Sequence, residues 1–588
     1  MMIRSYISDG KVIQCECARP EDHYNVIVIG CGTAGAVAAI TAAEHGMKTL
    51  VIEKSNCCGG VGTAGLITNY YYGIRMERHV RLDQQVKKRE TDAGYVLRSN
   101  CFSAELKKIE LEQTLLDLGV KICYEAIVCS VLMLNENTVA GICWHDWYGE
   151  HSAACDYVID ASGDAQAVFL AGGKFRFGRE SDGLPQTYTL NYSCYANGTQ
   201  NINRGDEGYV NQCNSAEMTS ELLHQYVLLW EDFSREKRID FFPDLLCVRE
   251  GRRIEGDENL TLDDVIHDRL STEPIFWERS NWDTHTMDLG FEDDTAMQWG
   301  VVAMQWGTVL NIPIPRGVLI PRGLHGILVA GRCLAVDHDL AQAVRMKDSM
   351  QASGEAAAIL ASLAVRRKCD VRQIPYSEFL KEVEWNSIQY DNSDILLHDE
   401  MEILTGLRSD SPGRAIWSAC RSGKTEYLKA LLTEPIPVCA NAAFALALLK
   451  DRSALPVLRD LAESDCAYRA QTPRKEAHRQ EYGAIAVYLL GWLDDVRSID
   501  LLLRKMHEHR SAAYVVNAWN ALQRIGNRFP ECRLEIVPAV ESFAKMTEPP
   551  LEIYCFGSRR PLNILNRLRK QIAQCLNHWN WNHSRAIP

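Results

Sequence analysis

The chain has little positive charge for its size. Lys and Arg number 63 against 77 Asp and Glu, a net charge of −14 and a pI near 5.7. A binder of phosphate backbones needs a basic face, so this balance argues against nucleic acid as a partner. No basic segment precedes an early apolar run, as a secretory leader requires. The one charge-free stretch of membrane length, Val26 to Ala43, is broken by Gly30, Gly32 and Gly35 and carries Thr33 and Thr41. Neither export nor a membrane span is expected, which points to the cytoplasm. The 21 cysteines are odd in number and scattered, with only Cys57-Cys58 and the Cys15/Cys17 pair close together. That excludes a disulfide framework and paired CxxC knuckles, and no metal set is expected. Low-complexity tracts are absent too, with 46% apolar and 24% charged residues. At 588 residues, three or four structural units are expected.

What is present is a change of pattern along the chain. Residues 1–24 read as a hairpin around Ser8-Asp9-Gly10. Val26-Ile27-Val28-Ile29 and Thr49-Leu50-Val51-Ile52 read as strands buried on both faces, joined by an Ala-rich helix from Ala34 to His45 that closes at Gly46. A second helix spans Ser103 to Leu118, strands follow, and a buried strand ends at Asp160. From about 175 to 320 the periodicity is mixed. A buried strand returns at Ile327, followed by a long helix expected over Leu340 to Arg366. Beyond about 400 the pattern is helical, and 442–462 resembles 487–506 at a spacing of 45, which fits a short array of HEAT-type helical pairs, with an irregular helical bundle as the alternative. The fold class expected is α/β. A Rossmann-like domain (25–175 and 321–395) is interrupted by an α+β substrate domain (176–320) and followed by an all-α, HEAT-like domain (396–588), with the hairpin (1–24) in front.

Gly30-Cys31-Gly32-Thr33-Ala34-Gly35 is a GxGxxG between a buried strand and a helix. Gly30 permits the turn, Gly32 admits a pyrophosphate, and Gly35 lets helix meet strand. Glu53 ends the second strand, where a carboxylate accepts from ribose hydroxyls. A second glycine run, Gly59-Gly60-Val61-Gly62-Thr63-Ala64-Gly65, brings another backbone close to the ligand.

With these two runs the sequence resembles the FAD-dependent oxidoreductases of the glutathione-reductase-like superfamily, nearest the fumarate-reductase and thiazole-synthase branches. Val158 to Ala165, Ile327 to Arg332, and Val344 to Ala357 resemble further motifs of that family. The resemblance covers about residues 24–370. It departs at Gly331-Arg332, where many members have Gly-Asp, and at Glu355 and Ala357. It implies non-covalent FAD held by Gly30, Gly32, Thr33, Ala34, Gly35, Glu53, Lys54, Gly60, Val61, Ile127, Ser162, Gly163, Gly331, Arg332, Arg345 and Gly354.

Flavin chemistry needs an acid or base beside the ring. Arg252, His285 and His338 are the candidates. A histidine base favours oxidation of a small polar metabolite, an alcohol or sugar-like hydroxyl. Arg252 as proton donor favours the alternative, a fumarate-reductase-like reduction of an activated C=C bond. Two readings of other classes stay open: a flavin-bearing scaffold whose helical array binds a protein partner, and cofactor-precursor or RNA modification chemistry. The substrate is a small molecule, and the electron acceptor is left open among oxygen, a quinone and a carrier protein.

Overall fold

The computed structural model describes residues 1–95, 100–196, 199–233, 238–285, 288–383, 392, 395–471, 479–508, 511–546, 551–555, 558 and 561–579. The chain divides into two compact units. The first comprises Met1–Gly178, Gly183–Ser280 and Leu310–Tyr390; the second comprises Arg179–Asp182, Asn281–Val309 and Asp391–Pro588.

The first unit is built on a nine-stranded mixed sheet. In chain order, eight of its strands are β1 (Met2–Ser8), β2 (Lys11–Cys17), β3 (His23–Ile29), β4 (Thr49–Ile52), β5 (Lys121–Cys123), β6 (Ile127–Asn135), β7 (Thr138–Asp146) and β8 (Gly149–Asp160). They lie side by side as β2-β1-β6-β7-β8-β3-β4-β5, and Ile327–Val329 adds in parallel to β8. The centre is parallel, with Ile29 opposite both Ile52 and Asp160. Val26 to Ile29 are buried, as β-branched residues covered on both faces should be, each contributing about 1.5–3 kcal/mol. The hairpin read at the N-terminus joins this sheet, Ile3 pairing with Met133.

Helix α1 (Thr33–Glu44) packs on the turn that precedes it and against the long helix Lys347–Arg367, and each contact leaves no room for a side chain at one glycine. A Cβ on Gly35 would lie 1.8 Å from Gly30 O, and one on Gly354 would lie 2.1 Å from Ala34 O. Backbone cannot give way there. Gly35→Ala is expected to destabilise the unit by about 3 kcal/mol or more, read from the urea midpoint.

The long helix begins at Lys347, not at the expected Leu340. Leu340–Gln342 is a separate 3₁₀ turn, started where Asp337 accepts from the Leu340 amide at 2.6 Å, and Met346 is extended. The side-chain acceptor and the extended residue interrupt a pattern that apolar periodicity reads as continuous.

The inserted part of this unit carries an antiparallel sheet of Thr199–Gly208, Tyr188–Ala196 and Arg238–Phe241, and a helix Ser215–Phe233. Asn191 and Arg204 are directly opposite, so they share one face.

The second unit is mainly helical. Elements of matching order recur at an offset of 44 residues, one short of the spacing expected: Val438–Leu448 with Tyr482–Trp492, and Leu455–Glu463 with Ile499–Glu508. Both second helices are entered through a 3₁₀ turn, Arg452–Ala454 and Val496–Ser498. Arg459 grips Asp495 at 2.8 and 2.6 Å and ties the pairs together. Elsewhere Arg179, Asp182, Asp288 and Arg567 form a buried ion quartet. The repeated Met-Gln-Trp-Gly segments place Trp299 and Trp306 in the core of this unit. Among the described residues, no helix is long and apolar enough to cross a membrane.

Candidate functional site

The chain turns sharply between β3 and α1. Gly30 takes φ +85°, a conformation open to glycine, and Ala161 O would meet any Cβ there at 2.7 Å. Gly32 then caps α1 with φ −75°, without a side-chain cap and with no acidic residue in the first turn. A Cβ on Gly32 would meet nothing nearer than Gly60 Cα at 3.9 Å. Protein packing therefore leaves that space open, in front of amides that attract an anion. Thr33 and Ala34 form the first turn of α1 beside it.

Glu53 follows β4. One of its oxygens accepts from the Cys31 amide at 2.5 Å, and the other from the Ser55 amide and hydroxyl at 2.8 and 2.6 Å. The carboxylate is thus held at the loop and retains one lone pair, on the oxygen that faces Cys31, for a ligand hydroxyl. Lys54 is exposed. The Ala126 amide donates to Glu53 O, and Ile127, next in the chain, is exposed at the start of β6.

The second glycine run folds back onto the first. The Gly59 amide donates to Cys31 O at 2.8 Å, and Gly60 and Val61 continue as a 3₁₀ turn. Beyond β8, Ser162 donates to Asp160 at 2.6 Å. Gly163 has φ +81°, and the Arg332 guanidinium would sit 2.9 Å from a Cβ there. Arg332 donates to Gly163 O, Val248 O and Gln212, so all three of its nitrogens serve as a staple. Gly331 has φ +79°, and its amide donates to Ser353 at 2.9 Å. Gly354 serves the helix packing described above. Arg345 is half-buried just ahead of the long helix.

The N-terminus of that helix carries groups that sequence reasoning missed. Gly62 lies between Thr33 Oγ1 (4.0 Å from its would-be Cβ) and Lys347 Cδ (3.7 Å), which places Lys347 beside the cradle. Its amine donates to Ile67 O and Asn69 O and faces Tyr70 and Phe102. Burial and the nearby Arg204 lower Lys347 to about 7. Asp348, buried beside Arg75, is raised to about 6 by burial. Glu278 is enclosed, accepts from Ser349 Oγ at 2.7 Å and from the Arg279 amide at 2.9 Å, and is pushed up to about 8 by burial. The inserted sheet closes over the same stretch: Asn191 donates to Gly65 O at 2.6 Å, and Arg204 donates to Asn69 at 2.8 Å. One signal for these groups was available, an acidic residue in a first helical turn.

The catalytic candidates read from the sequence each have contacts of their own. Arg252 lies over Phe169, 3.9 Å from the ring centre, and donates to Asp164 O and Gln166 at 3.3 Å. His338 is fully buried against Glu250 at 2.9 Å, with Arg253 on the same carboxylate. Burial opposes charge on both partners, yet the pairing wins: His338 is raised and Glu250 lowered. His285 belongs to the second unit, paired with Asp283 at 2.9 Å.

The arrangement fits a flavin dinucleotide. The open space at Gly32 suits a diphosphate, and Glu53 suits a ribose. Gln342 has both side-chain amide atoms buried without a hydrogen-bond partner among the described residues, as expected of a group that meets a ligand. The model of the FAD dependent oxidoreductase family matches residues 25–234 and 223–383. Digeranylgeranylglycerophospholipid reductase 1 of Methanococcoides burtonii is 29% identical over 172 residues, 24% of this chain and 38% of that protein. Thiamine thiazole synthase of Sulfolobus acidocaldarius is 28% identical over 163 residues, 26% of this chain and 59% of that one. The chain thus spans less than two thirds of these relatives. A geranylgeranyl bacteriochlorophyll reductase-like structure from Thermoplasma acidophilum is 13% identical, with a TM-score of 0.30 over 75% of this chain and 99% of that one. The family match covers well over half of the chain, from β3 through the long helix, and on it the protein belongs to the FAD-dependent oxidoreductase family of enzymes, with FAD as its cofactor.

Proposed function

We propose that this enzyme oxidises a small polar metabolite, an alcohol or a sugar-like hydroxyl. The observation that carries the reading is Lys347, an amine lowered to about 7 beside the glycine cradle. A neutral amine has two hydrogens and one lone pair. The hydrogens go to Ile67 O and Asn69 O, which leaves the lone pair to take a hydroxyl proton. FAD, when bound, supplies hydride acceptance at N5. The loop Gly30–Gly35 and Glu53 hold its diphosphate and ribose, with Gly60, Val61, Ser162 and Gly331 along its length. Arg332 positions Gly163 and the insert, and keeps one hydrogen on each terminal nitrogen for the ligand. Asn191 and Arg204 orient the substrate from the inserted sheet.

Reduction of an activated C=C bond is the second reading, and Glu278 favours it. A carboxyl raised to about 8 is protonated at neutral pH and can donate. The reductases among the relatives match less than a third of this chain, so they support the cofactor half and not a substrate.

Anaerobic titration decides between the two. Flavin bands that bleach on adding one of a panel of sugars, polyols and hydroxy acids are the expected result. Bands that resist every donor, but return when an enoate is added to the dithionite-reduced protein, would transfer the assignment to reduction.

A further inference from the structure

Cys57-Cys58 looks in sequence like a vicinal pair, but the structure gives Cys58 a different neighbour. Its sulfur lies 3.3 Å from the sulfur of Cys31, the second residue of the GxGxxG. Both side chains are fully buried and both thiols are free. The backbones are already joined, since the Gly59 amide donates to Cys31 O. Closing the gap to a disulfide needs a sulfur shift of about 1 Å. A hydrogen-bond chain also leads outward. Cys31 donates to Cys58, Cys58 contacts Tyr124 Oη at 3.0 Å, and Tyr124 donates to Glu112 at 2.8 Å. Because Tyr124 spends its one hydrogen on Glu112, the hydrogen between Cys58 and Tyr124 comes from the thiol. The chain therefore runs from sulfur to a half-exposed carboxylate, a route for a departing proton.

We propose that Cys31 and Cys58 are an oxidative cross-linking site, with hydrogen peroxide as oxidant, that ties the two glycine loops of the FAD cradle together. Cys58 loses its proton along the Tyr124–Glu112 chain, and its sulfur attacks a peroxide oxygen. The O–O bond breaks, giving a sulfenic acid and hydroxide, which takes up the released proton as water. The sulfur of Cys31 then attacks that of Cys58. An S–S bond forms, the S–O bond breaks, and the hydroxyl leaves with the Cys31 proton as a second water. Two thiols are oxidised and one peroxide is reduced. The consequence falls on the ligand, because the cross-link holds Gly32 and Gly60, whose facing backbones form the cradle, at one separation.

The test uses the full-length holoprotein, treated with peroxide while folded, then alkylated and digested. A Cys31–Cys58 peptide is expected, with two of the 21 thiols lost and both restored by dithiothreitol. Cys57→Ser retains the cross-link and Cys31→Ala loses it. FAD affinity of the cross-linked protein differs from that of the reduced protein by about tenfold, an ordinary size for coupling between two events at one place. A Cys57–Cys58 peptide, or sulfinic acid at either sulfur with no cross-link, overturns the site. A cross-link that leaves FAD affinity unchanged overturns its coupling to the cofactor.

Discussion

Gly32→Ala is expected to fold normally and to bind FAD about 100-fold more weakly. The expectation rests on which atoms the new methyl would meet. Gly32 has an ordinary negative φ, so alanine fits its backbone. The nearest protein atom to the added Cβ is 3.9 Å away, an unstrained contact. Loss of stability is therefore confined to exchanging one weak helix cap for another, under about 1 kcal/mol. The methyl instead enters the space in front of the free amides, where a diphosphate must lie. Overpacking of about 1–3 kcal/mol converts to a loss of roughly 5–150-fold. Larger side chains at 32 should abolish bound flavin. The contrast with Gly35→Ala makes the result diagnostic, because that variant loses FAD only by losing its fold. Urea midpoints and flavin fluorescence on both variants separate the two causes. Full flavin occupancy in the Gly32 variants would sink the assignment of this loop to the diphosphate.

Lys347→Met is expected to keep its flavin spectrum and lose about 10²–10⁴ of kcat, the usual contribution of a positioned base. The pH dependence carries the sign. Burial and Arg204 disfavour the ammonium, so Lys347 titrates near 7 and is neutral above it. Oxidation should rise as pH rises through about 7, and that limb should vanish in the methionine variant. Asp348 at about 6 and Glu278 at about 8 titrate in the same window, which is why the variant and not the profile alone identifies the group. Stability gives an independent readout. Unfolded lysine keeps its proton to about pH 10.4, so between about 7 and 10 the unfolded state binds more protons than the folded one. This group alone makes stability increase with pH across that window, and the slope should flatten in Lys347→Met. An unchanged kcat would remove Lys347 from the chemistry and turn attention to Glu278.

The division between local and distant information runs through individual residues. Val26 to Ile29, the Gly30–Gly35 loop, Glu53 and the Gly59–Gly65 run were legible, because strand burial, left-handed turns and close backbone approach leave a mark on nearby residue types. The helix from Ala34 and its stop at Gly46 were legible for the same reason, since their stereochemistry is settled within one turn. The start of the long helix was not, because Asp337 and an extended Met346 interrupt a continuous apolar pattern. That error concealed Lys347 and Asp348 as first-turn residues. The roles of Arg252 and His338 were equally out of reach, depending on Phe169 and on Glu250.

The sequence by itself determined the βαβ unit, its dinucleotide loop and the cofactor class. Each depends on backbone conformations that only certain residues tolerate, and those residues are neighbours in the chain. Only the tertiary structure decided which side chains meet. Lys347 donates to a carbonyl 280 residues away, Glu278 accepts from Ser349 71 residues on, and Cys58 finds Cys31 27 residues back. Pairings of that kind, and the shifts in acidity that burial imposes on them, are set by how the insert and the closing helix pack onto the sheet, which no local pattern specifies.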